Sequence, residues 1–313
     1  MLISTAAIVA SCGGTAEKQA EIITKSTITV ENGRLTPEVM HSMGKVSDPQ
    51  VSPDGSKILY GVAYTSISQN KNNRELFVMN ADGSDQKQLT TSSGSENNAR
   101  WINEGKEIAY LSGGQIWVMK ADGTGSRKVS DYEAGINEFE FSQDCNKILF
   151  ISEVKSDKKA VDIWPDLDKA NGRMISGLMY RHWDHFVETI PHPFIADFDG
   201  KNLSNITDIL EGEPFESPTM PLSGIEQLSW SPDGSMLLYA SRKLTGRDYA
   251  FSTNTDIYLY SLSDKSHENL TEGMPGYDTD PLFSPDGKSI AWISMERARS
   301  EERRVGKECR SRW

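Results

Sequence analysis

The sequence predicts an all-β fold built from one antiparallel hairpin that recurs along the chain. The hairpin is clearest at residues 230–239, where Pro232, Asp233 and Gly234 separate two apolar strands. Pro232 fixes φ at the first corner of a type I turn, and Gly234 can adopt the positive φ that leads back into a strand. The same frame, with a large apolar residue first and a polar turn in the middle, recurs at 51–60, 101–110, 141–150 and 283–292.

A second unit follows most copies of the first. It is a strand that runs into a turn, at 76–83, 116–123, 194–200 and 257–264, and a short polar-apolar-hydroxyl segment closes it at 88–90, 128–130, 205–207 and 269–271. Two hairpins in a period of roughly 40 to 50 residues match the four-stranded blade of a β-propeller. We therefore expect a partial β-propeller of about four and a half four-stranded blades, which must stack because one blade cannot bury its faces alone.

Composition narrows the class of protein. The chain has 313 residues and a formal net charge of −12. Its regular period favours one repeat domain, and its acidic balance argues against nucleic acid or an anionic membrane surface as a partner. Three cysteines, Cys12, Cys145 and Cys309, give no even disulfide framework, and no Cys/His spacing resembles a zinc site. We expect no metal and no other cofactor.

The amino terminus resembles a bacterial export signal. Residues 1–11 are small and apolar but too few to span a bilayer, and Cys12 follows them as in a lipoprotein signal whose cysteine is acylated after cleavage. We expect a signal peptide at 1–11, lipidation of Cys12, a tether at 12–34 and an exported protein of the bacterial cell envelope, either periplasmic or membrane-anchored. Its membrane contact is then the lipid anchor alone. An ordinary secretory signal and a disordered amino terminus are the alternatives, because no positively charged segment precedes the apolar run.

The incomplete propeller is expected at 35–298, after a short helix that Thr36 and Pro37 predict as N-cap and first helical residue. Its third blade differs from the others. Between Ser152 and Phe194 the chain inserts about forty residues, a length that usually marks a functional or disordered connection. The insert is aromatic, and we expect it to be partly helical, with a helix running through Leu178 and Met179.

The pattern of strands breaks off after Met295. Residues 299–313 show no strand alternation and are net basic, unlike the rest of the chain. They resemble a translated sequencing adapter, so we expect an artefactual tail with nothing folded after residue 298. A genuine basic tail is the alternative.

The motifs of the common hydrolases and nucleotide-binding proteins are missing from the sequence. There is no Gly-x-Ser-x-Gly elbow, no Walker-type loop and no His-Glu-x-x-His. The Asp residues of the turns are explained by turn geometry. The sequence therefore predicts no catalytic residue in this chain.

Five segments carry a resemblance to a known family: 178–184, 243–247, 250–254, 276–287 and 292–297. They look like the propeller of prolyl-oligopeptidase-family serine peptidases, nearest to the bacterial dipeptidyl-peptidase and acylaminoacyl-peptidase-like exported enzymes. The likeness covers roughly residues 35–298. The Ser-Pro-Asp-Gly turns alone are shared with TolB-like propellers, so the Arg-His-Trp-Asp and Met-Glu-Arg segments decide between the two.

The resemblance implies a propeller that precedes an α/β-hydrolase domain with a Ser, Asp and His triad. That triad maps onto no residue here, so the resemblance implies a chain without peptidase activity. The implied partners are a peptide substrate and the missing hydrolase domain. We name Arg181, His182, Trp183 and Asp184 as candidate contacts to either partner, because a charged and aromatic cluster on a long insert suits that role. The alternative is an internal Arg–Asp pair with a buried Trp that anchors the insert.

Two functions follow. The first is a substrate-gating propeller of an exported serine exopeptidase, of dipeptidyl or acylaminoacyl type, whose catalytic domain is absent from this chain. The alternative is a non-enzymatic TolB-like binding propeller of the cell envelope.

Overall fold

The computed structural model describes residues 22–156, 158–175, 177–178, 180–182, 185–297 and 308–312. Across these residues the chain forms four four-stranded antiparallel sheets, one three-stranded sheet and a two-stranded hairpin. The predicted mainly β fold with four-stranded units is confirmed. The number of blades in the complete propeller stays a prediction.

The sheets follow one another along the chain, and each is formed by consecutive strands. The first contains β1 (Lys45–Val51), β2 (Lys57–Ser66), β3 (Lys71–Asn80) and β4 (Lys87–Gln88), and the second contains β5 (Glu96–Ile102), β6 (Glu107–Ser112), β7 (Gln115–Lys120) and β8 (Arg127–Lys128). The third begins with β9 (Glu138–Phe141) and β10 (Lys147–Lys155), is interrupted by the separate hairpin β11 (Arg181–His182) and β12 (His185–Phe186), and ends with β13 (Thr189–Phe198) and β14 (Leu203–Asp208). The fourth contains β15 (Leu228–Trp230), β16 (Met236–Ser241), β17 (Asp256–Ser261) and β18 (His267–Asn269), and the fifth β19 (Asp278–Phe283), β20 (Ile290–Ser294) and β21 (Glu308–Arg312).

Three short α-helices lie in the connections: α1 (Pro37–Ser42), α2 (Ala160–Ile163) and α3 (Gly246–Phe251). The predicted start of α1 is confirmed, because the Thr36 hydroxyl accepts a hydrogen bond from the Val39 amide at 3.3 Å and Pro37 is the first helical residue. The helix expected through Leu178 and Met179 is not found in the described part of the insert, and Met179 lies outside it. Pro165, Gly172 and Gly177 disfavour a helix there.

The predicted turns form as expected. Gly234 has φ of 67°, and its amide donates to the Ser231 carbonyl at 2.9 Å. Cys145 has φ of 57°, so it adopts the left-handed conformation that glycine supplies in the sister turns. The Ser231 hydroxyl donates to Asp233, which with the Ser235 hydrogen bonds holds the pKa of that carboxyl below its usual range.

The hydroxyl residue that closes each second unit has a specific role in three sheets. Thr90 accepts a hydrogen bond from the Leu76 amide at 2.9 Å, and Thr271 accepts one from the Ile257 amide at 3.0 Å. Ser130 accepts one from the Ile116 amide at 2.8 Å. Each hydroxyl thus satisfies a buried amide of the third strand, which explains why Thr or Ser recurs at this point of the period.

Consecutive sheets bury their faces against each other. Strand residues alternate between the two sides of a sheet, so β6 places Ile108 and Tyr110 in the core shared with the first sheet and Ala109 and Leu111 in the core shared with the third. In β16, likewise, Leu237 and Tyr239 face the third sheet and Leu238 and Ala240 face the fifth. Neighbouring blades therefore stack as the sequence predicts.

The first strands of successive sheets are also linked directly. Asp48 has φ of 51° at a break in the β1 register, and its carboxylate binds Arg100 of β5 at 2.9 Å. Asn98, at the matching break in β5, accepts a hydrogen bond from the Phe139 amide of β9 at 2.6 Å. Trp101, the large apolar residue that opens its hairpin, donates from Nε1 to the Gln50 carbonyl at 3.1 Å. These contacts position the first strands of successive sheets relative to one another.

The carboxyl-terminal strand and the two long strands of the third sheet differ from the sequence expectation. Residues 308–312 pair with β20, although nothing folded was expected after residue 298. The unpaired edge of β20 offers N–H and C=O groups to any extended segment, so this pairing needs no apolar alternation.

In the third sheet, β10 and β13 stay paired from Lys147 with Asp197 to Lys155 with Thr189, so the inserted connection shortens to residues 156–188.

The closing hydroxyl gives a test of the fold. Ser130→Ala removes the acceptor of the buried Ile116 amide, and we expect the free energy of unfolding to fall by about 1–3 kcal/mol, the cost of a buried donor without a partner. Chemical denaturation followed by tryptophan fluorescence measures the change. Ser84→Ala removes an exposed turn hydroxyl and is the matched control, expected within about 0.5 kcal/mol of the parent. Equal effects of the two substitutions would contradict the role assigned to Ser130.

Candidate functional site

Two long connections lie at one end of the stacked sheets, which we call the connection end. Residues 156–188 join β10 to β13, and residues 242–255 join β16 to β17. Both join the second and third strands of neighbouring sheets, so they leave the stack on the same side. Loops that a rigid scaffold presents in this way are the usual carriers of recognition.

The inserted connection carries the hairpin that the sequence singled out. Arg181 pairs with Phe186 and His182 with His185. The Arg181 guanidinium lies 5.6 Å from the centroid of the Phe186 ring, and the Arg173 guanidinium lies 4.1 Å from it. The predicted Arg181 is therefore exposed and stacked on an aromatic side chain of its own insert.

The other predicted site residues are placed only in part. His182 is described as a strand residue, without its side chain. Trp183, Asp184 and the predicted lipidation residue Cys12 lie outside the described residues. The role of this cluster, and the alternative of an internal Arg–Asp pair, stay untested predictions.

Glu188 holds the base of the insert. Its carboxylate binds Lys159 at 2.7 Å and Arg173 at 3.0 Å, which ties the start, the middle and the end of the insert together. The hydrogen bond from Lys159, with the charges of both cations, keeps the pKa of Glu188 below its usual range. Glu188 therefore stays ionised at neutral pH.

Sequence reasoning missed a buried polar cluster at the connection end, formed by Glu216, Arg242 and Tyr249. The Glu216 Oε1 atom accepts from the Arg242 guanidinium at 3.0 Å and from the Tyr249 hydroxyl at 2.6 Å, and Glu216 is only 4% exposed. The Arg242 guanidinium also lies 4.0 Å from the centroid of the Tyr249 ring. Burial, followed by the nearby charge of Glu216, raises the pKa of Tyr249, so its hydroxyl remains a donor.

The same cluster fixes both long connections to the sheets. The Ser217 amide donates to the Pro191 carbonyl of β13 at 3.0 Å, and the Ser217 hydroxyl donates to the Ala240 carbonyl of β16 at 2.8 Å. The Ser241 hydroxyl returns a bond to the Glu216 carbonyl at 2.8 Å. Through these hydrogen bonds Glu216 and Ser217 link β13 to β16, the strands that flank the two connections.

Lys243 extends this cluster towards the fourth sheet. Its ammonium group lies 2.5 Å from a Glu213 carboxylate oxygen and 4.7 Å from the centroid of the Tyr258 ring. Burial raises the pKa of Tyr258, as do the charges of Asp256 and Glu213. A cation held between a carboxylate and an aromatic ring stabilises the start of the 242–255 connection.

A buried His–Asp pair, His192 with Asp208, resembles part of a hydrolytic triad but lacks the geometry of one. The His192 Nδ1 atom lies 2.9 Å from Asp208 Oδ2, and His192 is 2% exposed. Ser152 stands opposite His192 in the strand register, yet its hydroxyl donates to the Gly135 carbonyl. The His192 Nε2 atom has no hydrogen-bond partner in the described part of the chain. This arrangement activates no nucleophile, since the base must contact the serine.

No group of three or more His, Cys, Asp or Glu residues is arranged among the described residues to hold a metal ion. None of the described helices is long and apolar enough to cross a membrane.

Comparison with known proteins places these features in context. No protein-family model matches the chain. Dipeptidyl-peptidase 5 of Porphyromonas gingivalis is 52% identical over 279 residues, which cover 88% of this chain and 41% of that protein. Dipeptidyl-peptidase 5 of Porphyromonas endodontalis is 43% identical over 273 residues, covering 86% of this chain and 40% of the relative. The chain therefore spans about two fifths of the length of the curated relatives it matches.

Among solved structures, an acylaminoacyl peptidase from Pyrococcus horikoshii superposes on 87% of this chain and 38% of its own, with a TM-score of 0.58 and 17% sequence identity. That likeness concerns the fold. Stacked four-stranded sheets and these similarities define a propeller-type chain related to peptidases. The particular peptidase that it resembles over most of its length is dipeptidyl-peptidase 5.

The buried cluster gives the second testable prediction. Arg242→Met leaves the Glu216 carboxylate buried without its cation, and we expect the free energy of unfolding to fall by about 3–5 kcal/mol. We also expect faster protease cleavage within residues 242–255, because the connection loses its anchor.

Lys106→Met is the matched control for this prediction. It breaks an ion pair with Glu104 whose two side chains are 73% and 84% exposed, and we expect a loss below about 1 kcal/mol. If both substitutions cost the same, or if cleavage of 242–255 is unchanged in Arg242→Met, the anchoring role of the cluster is wrong.

Proposed function

We propose that this chain is the substrate-gating propeller of an exported serine exopeptidase, of dipeptidyl or acylaminoacyl type. The observation that carries the proposal is the 52% identity to dipeptidyl-peptidase 5 over 88% of this chain. The relatives are longer than this chain, and the parent protein is proposed to carry its α/β-hydrolase domain in the part that they have in addition.

The geometry supports a gate at the connection end. Apolar side chains of the insert stand exposed there: Ile163, Trp164, Leu167, Met174, Ile175, Leu178, Tyr180 and Phe186. A concentration of exposed apolar groups on one segment is typical of an interaction surface. Arg181, His182, Trp183 and Asp184 belong to the same segment, and we propose that they contact the peptide substrate or the hydrolase domain.

In this proposal the stacked sheets position the peptide substrate and take no part in catalysis. Acyl transfer by a serine peptidase needs a hydroxyl activated by a histidine base and oxyanion donors aimed at the developing charge. At the His192–Asp208 pair, the facing serine does not contact the histidine, because the Ser152 hydroxyl donates to the Gly135 carbonyl. We propose that the hydrolase domain supplies these groups and that the ring restricts which peptides reach them.

The third prediction tests the function directly. In DNA of the source organism, the gene is sequenced past the codon for Ala298, and its product is assayed on dipeptidyl and N-acylaminoacyl chromogenic substrates. We expect a Gly-x-Ser-x-Gly motif and hydrolysis of one of these two classes, lost when the serine of the motif becomes alanine. The 313-residue chain alone is expected to hydrolyse neither class.

Two outcomes would contradict the proposal. A reading frame that stops after a few more strands, with an inactive product, supports the non-enzymatic TolB-like binding propeller instead. Turnover by the 313-residue chain itself, blocked by a fluorophosphonate, would show that a catalytic serine lies within it. The same sequencing tests whether residues 299–313 are native or, as we propose, derived from a sequencing adapter.

We further propose that the protein is exported as a lipoprotein anchored through Cys12. Cys12→Ser removes the thiol that would be acylated, and we expect the protein to move from the membrane fraction to the soluble fraction. Cell fractionation with immunoblotting measures the distribution. Cys145→Ser, in a turn of the third sheet, is the matched control and should leave the distribution unchanged. Membrane association that persists in Cys12→Ser would rule out the lipid anchor.

A further inference from the structure

Two pairs of carboxylates occupy matching places at two junctions between consecutive sheets. One pair is Glu75 and Glu96, between the first and second sheets, and the other is Asp256 and Asp278, between the fourth and fifth. Glu75 and Asp256 directly precede the residues whose amides bind Thr90 and Thr271, and Glu96 and Asp278 stand opposite Ser112 and Ser294 in the strand register. The repeat therefore brings the same two positions together twice.

The first pair is almost completely buried, with Glu75 1% and Glu96 2% exposed. Ser92 contacts both acids, since its amide donates to Glu75 Oε1 at 2.9 Å and its hydroxyl donates to Glu96 Oε1 at 2.8 Å. Further donors are Asn73 and Thr90 to Glu75 and Ser112 to Glu96. The remaining oxygen, Glu96 Oε2, has no partner among the described residues. A proton on that oxygen would give it one, because Glu75 lies within hydrogen-bond reach of Glu96.

The nearest cation, Arg74, lies beside this pair but does not hydrogen-bond to the Glu96 carboxylate. Arg74 of β3 donates to the backbone carbonyl of Glu96 at 2.7 Å rather than to its carboxylate, and its guanidinium lies 4.0 Å from Asp48. Tyr110 of β6 is the other titratable group close to Glu96. Burial raises the pKa of Glu96 to about 7, and the charge of Glu75 adds to this while the Ser92 hydroxyl opposes it.

The second pair joins a half-buried acid, Asp256, to a buried one, Asp278. Asp278 is 1% exposed, and neither of its carboxylate oxygens has a hydrogen-bond partner in the part of the chain that the structure describes. Thr271, Ser294 and Trp292 lie close to it without reaching hydrogen-bond geometry. Burial raises the pKa of Asp278, and the charge of Asp256, the acid that faces it from β17, raises it further.

The chain contains its own neutral version of the site. At the junction between the second and third sheets, Gln115 takes the place of Glu75. Its Oε1 atom accepts from the Ser130 hydroxyl at 2.7 Å and from the Tyr132 amide at 3.0 Å, as Glu75 accepts from Thr90 and Ser92. The fold therefore requires an acceptor at this position and does not require a charge.

We propose that each carboxyl pair holds a single proton, and that release of this proton to solvent loosens the junction between its two sheets. The proton leaves Glu96 or Asp278, and two like charges then face each other inside the junction. Both pairs lie towards the connection end, where β6 and β20 end at Ser112 and Ser294. The contacts between these sheets are consequently more stable at acidic pH than at alkaline pH, independently of the function proposed above.

The direction in pH follows from linkage. An ordinary glutamate carboxyl titrates near 4.5, whereas Glu96 in the folded chain titrates near 7. The folded state therefore binds the proton more tightly than the unfolded state does. Its contribution to stability is complete below pH 4.5 and is lost as the pH rises towards 7. Asp278 acts in the same direction.

A double variant that combines Glu96→Gln and Asp278→Asn replaces each acid by an amide of the same shape. We expect the melting temperature of the unsubstituted chain to fall as the pH rises from 4.5 through about 7, and that of the double variant to lose most of this dependence. Glu104→Gln changes an exposed acid and is expected to keep the full dependence. An unchanged slope in the double variant would overturn the proposal.

A second measurement needs no variant to fold. The infrared spectrum of the chain near neutral pH should show the band of protonated carboxyl groups, and that band should disappear as the pH is raised. Absence of the band near pH 6, below the value at which Glu96 is expected to titrate, means that the pairs hold no proton. If added calcium raises the melting temperature of the unsubstituted chain at alkaline pH but not that of the double variant, a cation and not a proton occupies the pairs, which also overturns the proposal.

Discussion

The contact between the faces of consecutive sheets is the constraint on which the rest of this structure depends. A sheet in the middle of the stack is covered on both sides, so its strands are apolar at successive positions, as in Leu237, Leu238 and Tyr239. Full burial of each such side chain contributes about 1.5–3 kcal/mol, more than any single surface interaction in the chain. One sheet alone would expose both of these faces to water. Stability is therefore a property of the stack.

Stacking creates a second requirement, because it buries polar groups near the strand ends. The closing hydroxyls satisfy amides of the third strands, and the residues at the breaks in β1 and β5 bind the first strand of the next sheet. The bonds made at these breaks cross from one sheet to the next, so they fix how neighbouring sheets meet.

The connection end separates a rigid base from an exposed recognition segment. Glu216 is buried and fully engaged with Arg242 and Tyr249, so the strands that lead into both connections are held firmly. The insert beyond them keeps its apolar and aromatic side chains in solvent, tied back through Glu188. The stacked sheets determine where this segment lies, and its side chains determine what it can contact. The carboxyl pairs, as we propose, link the packing of consecutive sheets to the binding of a proton.

The sequence by itself determined the features that depend on neighbouring residues. Turn chemistry fixes local dihedral angles, so the hairpin at Gly234 followed from the repeated frame, and the capped start of α1 followed from Thr36 and Pro37. The repetition also predicted the four-stranded units and their stacking. The resemblance to peptidase propellers rested on short segments of the same kind.

Only the tertiary structure decided which distant residues meet. Glu216 and Arg242 lie in different connections, and Glu75 and Glu96 lie in different sheets, so no spacing along the chain brings them together. The sequence indicated a helix near Leu178 that the described residues do not form, and it gave no sign that residues 308–312 would pair with β20. Edge pairing uses backbone groups that every residue carries, and buried charge clusters depend on how the sheets stack. The physical reason is that both are decided by packing between sheets and not by local preference.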